Sequence, residues 1–190
     1  MRTHVALLRG INVGGTNKVP MADLRELMTS LGYTNVATYI QSGNVVFTSQ
    51  DGRDSQDADI AKLAEVLDEK VAERFSVPGH VIVVSRDDLA RVIADNPYPD
   101  EPNPKALHAV FRRTDLTTDD LDRVEQARQR AGGKGCQDEV TIVGRTLFLH
   151  TLDGLGRSEL AAQLSRTSSM KTGTARNWAT VIKLMAMLDA

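Results

Sequence analysis

Apolar segments of two periodicities alternate along this chain, and their order constrains the fold more than any other feature. The first half reads strand, helix, strand, strand, helix, strand, beginning with the continuous apolar run from Val5 to Leu8 and ending with Val81 to Val84. A continuous apolar run is typical of a strand that is buried within a sheet. The order itself is that of the split βαβ, or ferredoxin-like, plait. We therefore predict an α+β fold.

The turn chemistry of the first half agrees with that order. Pro20 stands where a helix begins, a position at which its missing N–H costs nothing. Residues 35–41 and 44–49 are rich in β-branched and aromatic side chains, and Ser42-Gly43 between them indicates a hairpin. A long helix is expected from Ile60 to Phe75.

The second half begins the same order again after a proline-rich stretch. Residues 96–104 contain four of the six prolines and are predicted to be an extended linker. A strand, a helix capped by Thr117, a hairpin around Gly144-Arg145 and a helix near residues 158–164 follow. The last element is predicted to be a helix capped by Thr174 rather than a fourth strand.

The predicted architecture is therefore two ferredoxin-like plait halves, the second incomplete, with a C-terminal helix. The expected domains are residues 1–95 and 105–190, joined by the linker 96–104, and a single compact unit is the alternative. The expected core comprises Val5, Leu7, Leu24, Leu27, Ile40, Val45, Leu63, Leu67, Val83, Val110, Ile142, Leu147 and Trp178.

Composition narrows the functional classes. Of the 190 residues, 25% are charged with a net charge of −2, which argues against a generally basic nucleic-acid-binding protein. The single cysteine, Cys136, excludes an intramolecular disulfide and a multi-cysteine zinc site. No apolar run approaches the roughly 18 residues of a membrane span, and the first residues do not resemble a signal peptide. We expect a cytoplasmic protein with no cofactor, no metal and no membrane partner.

One edge of the predicted first sheet carries the candidate binding site. In a plait, the loop from Arg9 to Lys18 and the turn from Gln41 to Asn44 lie at the same edge. Glycines in such a loop allow positive φ angles and let backbone N–H groups converge on an anion. The candidate ligand-binding residues at this edge are Arg9, Gly10, Asn12, Gly14, Gly15, Asn17, Lys18, Gln41, Ser42 and Asn44.

A phosphate or carboxylate is the ligand that this edge favours, since Arg9 and Lys18 supply positive charge and the loop leads into a helix N-terminus. The alternative is that the glycines and asparagines only form turns and that Arg9 pairs with an acid. The loop is not a Walker A motif, because Thr16-Asn17 stands where Lys-Ser/Thr is required.

The start of the predicted last helix is a second candidate. Arg176 and Asn177 would lie in its first turn, where backbone N–H groups lack partners. The Ser- and Thr-rich residues 166–173 before it are interpreted either as a lid or as a linker. Neither the four histidines nor Cys136 shows metal-ligand or nucleophile spacing, and no catalytic residue is assigned.

Specific sequence blocks also carry a resemblance to a known family. The stretch ALLRGINVGGTNKVPMADLRELMTSLGY, the later TYIQSGNVVF and the C-terminal TARNW-ATVIKL resemble the bacterial domain-of-unknown-function 1697 family over essentially the whole chain. The resemblance implies a duplicated ferredoxin-like α+β fold and brings no established activity.

Three functional hypotheses follow. The first is a protein that binds a small anionic metabolite or nucleotide, with the question of catalysis left open. The second is a nucleic-acid-binding module, which would need aromatic side chains on the first and third strands, where only Phe47 is found. The third is a regulatory or interaction domain that dimerises, with the oligomeric state unknown.

Overall fold

The computed structural model describes residues 1–49, 57–167 and 171–190. The chain divides into two compact units. The first comprises Met1–Arg91 together with Lys183–Ala190, and the second comprises Val92–Ile182.

The first unit contains a complete plait. Its elements are β1 (His4–Leu8), α1 (Met21–Ser30), β2 (Thr34–Tyr39), β3 (Asn44–Thr48), α2 (Asp57–Phe75) and β4 (Val81–Ser85), followed by α3 (Arg86–Ala94). The strands form an antiparallel sheet in the order β2-β3-β1-β4. This is the predicted ferredoxin-like topology, and it is confirmed.

Alternation along the strands builds the core of this unit. Ala6, Leu8, Val45 and Phe47 share a buried cluster with residues of α1 and α2, among them Leu24, Met28, Ala64 and Leu67. The residues between them, Val5, Leu7 and Val46, are also fully buried. Both sides of the central strands are therefore removed from water, which explains why β1 has no polar alternation.

One predicted core residue of this unit is wrong. Ile40 is 52% exposed and has a φ of 48°. β2 ends one residue earlier, at Tyr39, so Ile40 lies in the turn that leads to β3.

The second unit repeats the architecture. Its elements are β5 (Leu107–Phe111), α4 (Thr118–Gly132), β6 (Glu139–Val143), β7 (Thr146–His150), a short 3-10 turn (Leu155–Arg157), α5 (Glu159–Leu164), β8 (Thr174–Asn177) and α6 (Trp178–Asp189), the last of which ends in the first unit. The sheet order is β6-β7-β5-β8, equivalent to that of the first unit.

The second half is thus complete, and the prediction of an incomplete plait is wrong. Residues Thr174–Asn177 form the fourth strand and pair with β5, with Thr174 opposite Phe111 and Asn177 opposite His108. The helix begins only at Trp178, and Thr174 does not cap it. Instead the side chain of Asn177 accepts a hydrogen bond from the N–H of Ala179, at 3.0 Å. The strand has only four residues and a strongly apolar helix follows it directly. Its sequence pattern is therefore too short to be distinguished from the start of that helix.

The residues predicted as a linker form neither helix nor strand, yet two of their side chains are fixed to the second sheet. The hydroxyl of Tyr98 lies 2.8 Å from that of Thr141. The carboxylate of Glu101 lies 2.5 Å from Nε2 of His150. Hydrogen bonds to Asn103 and His150 lower the pKa of Glu101, the backbone N–H of Asn103 having the larger effect.

The two ends of the described chain meet in the first unit. The backbone N–H of Arg2 donates to the carbonyl of Leu188 at 3.1 Å, and its guanidinium donates to the carbonyl of Met187 at 2.6 Å. Arg86, at the start of α3, forms a 2.7 Å ion pair with Asp189. Among the helices in the described part of the chain, none has the length and apolar character needed to cross a membrane.

Candidate functional site

The end of β1, the turn before β3 and the turn before β4 meet at one edge of the first sheet. The N–H of Leu8 donates to the carbonyl of Gly43 at 2.8 Å, and the N–H of Arg9 donates to the carbonyl of His80 at 2.9 Å. The plait topology predicts this meeting because β3 and β4 both run antiparallel to β1. The two predicted site segments are therefore neighbours.

The loop after β1 is itself a small hairpin. Val13 and Thr16 form a β-bridge, and the N–H of Thr16 donates to the carbonyl of Val13 at 3.0 Å. Gly14 and Gly15 between them have φ angles of 58° and 81°. Positive φ at both central positions is the signature of a type I′ turn. These two glycines consequently serve the turn, and their N–H groups lie at its exposed tip.

Two asparagines hold the hairpin in place. The side-chain amide of Asn12 donates to the carbonyls of Val19 and Gln41, at 3.0 and 2.8 Å, and its oxygen accepts the N–H of Val19 at 2.9 Å. Asn17 donates to the carbonyl of Gly10 at 2.9 Å. Both asparagines adopt positive φ, which this residue type tolerates better than most. Asn12 therefore ties the hairpin to the turn before β3.

Asn44 has a similar structural role. It is fully buried, and its amide donates to the carbonyl of Tyr39 at 3.0 Å and to the hydroxyl of Ser42 at 2.9 Å. No part of Asn44, a candidate ligand-binding residue, therefore reaches solvent. Gln41 and Ser42 are exposed.

Two cations, Arg9 and Lys18, lie at this edge. Arg9 is half-buried and Lys18 is exposed, and no carboxylate of the described residues lies within 4.0 Å of either cation. His80, whose backbone carbonyl accepts the N–H of Arg9, is also exposed at this edge. The alternative in which Arg9 pairs with an acid therefore finds no support among the described residues.

One acid at this edge could not be predicted from the sequence. The carboxylate of Asp68, on α2, accepts a hydrogen bond from the N–H of Val81 at the start of β4. No local sequence pattern predicts this contact, because it joins a helix residue to a strand that begins 13 positions later. Asp68 thus fixes the turn before β4.

Arg176 and Asn177 belong to the second unit and lie on β8. The guanidinium of Arg176 donates to the Thr174 hydroxyl at 2.7 Å and to the Ala175 carbonyl at 2.9 Å. Burial lowers the pKa of Arg176 to about 10. The placement of both residues in the first turn of a helix is wrong: Arg176 is a buried strand residue, and Asn177 caps α6. Ser168 and Ser169, within the predicted lid or linker, lie outside the described residues.

Comparisons with known proteins agree with this architecture. The solved structure of a conserved bacterial protein, SP0830 from Streptococcus pneumoniae, superposes with a TM-score of 0.71 at 25% sequence identity, over 98% of each chain. No curated protein sequence matches this chain. A family model described as "Protein of unknown function (DUF1697)" matches residues 1–148, which include both sequence blocks of the candidate edge. The chain therefore belongs to the DUF1697 family.

Proposed function

We propose that the loop edge of the first unit binds a small anionic ligand, a metabolite or nucleotide that carries a phosphate or carboxylate group. The observation that carries the proposal is a pair of cations, Arg9 and Lys18, on one loop. Neither cation has a carboxylate partner among the described residues, and three hydrogen bonds of the Asn12 side chain hold the loop in place. A preorganised loop loses little conformational entropy when a ligand binds.

The chemistry of the edge suits such a ligand. A guanidinium presents a planar fork of donors that matches a phosphate or carboxylate, and charge-assisted hydrogen bonds are about twice as strong as neutral ones. The exposed amides of Gly14 and Gly15 add donors without side-chain entropy. Any reaction of the ligand at this edge would rest on positioning and charge stabilisation.

The nucleic-acid alternative receives less support. Plait domains that bind RNA stack bases on aromatic side chains of the sheet. Phe47, on β3, is fully buried and packs on Tyr33, with ring centroids 4.9 Å apart. A small ligand is therefore the partner that we propose.

We also propose that the protein acts in the reducing cytoplasm, because its single cysteine is partly buried and forms no disulfide.

Thermal shift at low salt tests the proposal. Phosphate, nucleotides, sugar phosphates and carboxylates are screened against the parent and the Arg9→Ala and Lys18→Ala variants. A ligand at one hundred times its Kd stabilises the folded state by about 2.7 kcal/mol, which a melting curve resolves readily. We expect a shift in the parent and its loss in Arg9→Ala.

Lys62→Ala is the matched control, because it removes one exposed positive charge from α2 of the same unit. It should retain the full shift. The proposal fails if no ligand shifts the parent, or if Arg9→Ala and Lys62→Ala respond equally.

A further inference from the structure

The second unit contains a basic cleft that the proposed function does not involve. It has a volume of about 190 Å³ and is lined by residues of α4, of α5 and of the turn that follows α5. Its polar lining consists of three arginines, two glutamines and one threonine: Arg123, Arg130, Arg166, Gln126, Gln163 and Thr167.

Helical spacing explains why these side chains converge. Arg123, Gln126 and Arg130 are separated by three and four positions and therefore share one face of α4. Gln163 and Arg166 are also three positions apart, at the end of α5 and just beyond it. Each helix thus contributes donors to the same cleft.

The charge of this cleft is poorly compensated. Arg123 has a 2.9 Å ion pair with Asp119, one turn earlier on α4. For Arg130 and Arg166, no carboxylate in the described ranges lies within 4.0 Å. Like charges repel one another when they converge, so an arrangement of this kind is stabilised by a bound anion.

The acid that contacts Gln163 at the wall of the cleft, Glu159, is occupied by other groups as well. The carboxylate of Glu159 accepts hydrogen bonds from Lys134 at 2.6 Å and from Gln163 at 2.7 Å. Both hydrogen bonds lower the pKa of Glu159, and the bond from Lys134 has the larger effect. The charge of Arg166 lowers this pKa by a smaller amount. Glu159 is not among the lining residues. Its hydrogen bond orients the side chain of Gln163 at the wall of the cleft.

We propose that this cleft binds the phosphate group of a small molecule. Guanidinium forks and amide donors match phosphate oxygens bidentately, whereas a carboxylate offers fewer acceptors to three converging arginines. The volume is below the roughly 300–1,000 Å³ of clefts that enclose a whole cofactor, so the phosphate group occupies the cleft and the rest of the ligand extends outward. Its concave shape favours a small molecule over a nucleic-acid backbone.

Amide NMR of the full chain tests the proposal with three probes: inorganic phosphate, glycerol phosphate and acetate. We expect saturable shifts at the side-chain amides of Gln126 and Gln163 with both phosphates and none with acetate. Tighter binding of glycerol phosphate would identify a phosphate monoester as the ligand class, and equal binding would identify phosphate itself.

Two variants and two controls make the assignment specific. Arg130→Ala/Arg166→Ala should weaken binding at least about tenfold, the loss expected from removing charge-assisted hydrogen bonds. Both residues are exposed, and a second pair, Arg130→Gln/Arg166→Gln, preserves the side-chain volume if the alanine pair melts early. Arg128→Ala should bind as the parent does, because Arg128 pairs with Glu125 at 3.0 Å and does not line the cleft.

Arg9→Ala/Lys18→Ala should also leave these shifts unchanged, which separates this cleft from the loop edge of the first unit. The proposal is overturned if phosphate causes no saturable shift, or if acetate binds equally well. It is also overturned if the arginine pairs retain parental affinity.

Discussion

Gly43 shows how a single residue is fixed by contacts distant in sequence. Its φ is 76°, and a Cβ built on it would lie 2.7 Å from both the Cδ1 of Ile11 and the Cβ of Leu8. The sequence predicts a turn at Ser42-Gly43, yet it does not show that the loop after β1 packs against that turn. The close approach comes from the tertiary fold, so local propensity gives no sign of it.

Gly43→Ala should therefore lower the free energy of unfolding by more than the cost of the strained φ angle alone. We expect about 2 kcal/mol or more, because backbone strain of about 1–3 kcal/mol combines with overpacking. Gly14→Ala is the control: its φ is also positive, and nothing lies within 4 Å of its Cβ. Urea denaturation of both variants measures the difference, and equal losses would show that the predicted contact has no energetic effect.

One buried histidine, His4, and one half-buried histidine, His108, predict acid sensitivity. Burial lowers the pKa of His4, opposed by the charge of Asp88, and burial also lowers the pKa of His108. Below the ordinary histidine pKa, the unfolded chain binds protons that the folded chain does not. The free energy of unfolding should therefore fall as the pH is lowered from about 7 through 6.5 to the depressed folded-state pKa values.

His108→Phe should flatten this dependence, since Nδ1 of His108 is buried without a hydrogen-bond partner among the described residues. His80→Gln, at an exposed position, is the control and should leave the slope unchanged. The comparison requires denaturation curves at pH 7.5 and 5.5. A parental slope in His108→Phe would refute the contribution of this histidine.

At the scale of elements, helix α4 begins beside a buried ion pair. Thr117 and Asp120 form a reciprocal capping box. Asp120 also pairs with Arg112 at 3.1 Å, the two side chains being only 8% and 5% exposed. The sequence predicts the cap at Thr117, and acids at a helix start are ordinary. It does not reveal the pair with Arg112, which depends on how β5 ends beside α4.

Asp120→Ala should cost about 3–5 kcal/mol, the usual penalty for removing one partner of a buried ion pair. Asp119→Ala, on the same turn, removes a surface pair with Arg123 and should cost less than about 1 kcal/mol. Thermal and urea unfolding of the two variants provide the comparison. A similar loss in both would contradict the special role of the buried pair.

Elements with several turns or strong alternation were predictable, and short ones were not. β1 is a continuous apolar run, and α1, α2 and the β6–β7 hairpin carry clear periodicity over their lengths. β8 has four residues, of which Thr174 and Arg176 are buried, and an arginine facing inward conceals a strand pattern. Likewise, Ile40 has the composition of a strand residue but occupies a turn with positive φ.

At the scale of the whole molecule, the same order of seven elements occurs twice, yet the connections differ. The β1–α1 connection in the first unit spans residues 9–20 and contains the hairpin, whereas the β5–α4 connection spans residues 112–117. The sequence located the candidate edge through this topology. It did not distinguish donors that face solvent from asparagines that hold the loop, because that distinction depends on side-chain hydrogen bonds.

The C-terminal turns of α6 should matter for the stability of the first unit. Leu188 is fully buried, and Leu188→Ala should cost about 2–5 kcal/mol. Amide hydrogen exchange in β1 and β4 should quicken accordingly, while Ile182→Ala, at a 44% exposed position, should change it little. Unchanged exchange in Leu188→Ala would show that the end of α6 is dispensable to that unit.

The hydrogen bonds of Arg2 to Met187 and Leu188 also have a consequence for biosynthesis. The ribosome adds the last segment of the first unit, Lys183–Ala190, only after the whole of the second unit, Val92–Ile182. At about 5–20 residues per second, the nascent first unit waits roughly 5–20 s for that segment after Arg91 has been added. The first unit therefore closes only after Val92–Ile182 has been synthesised, whereas that segment is synthesised without interruption.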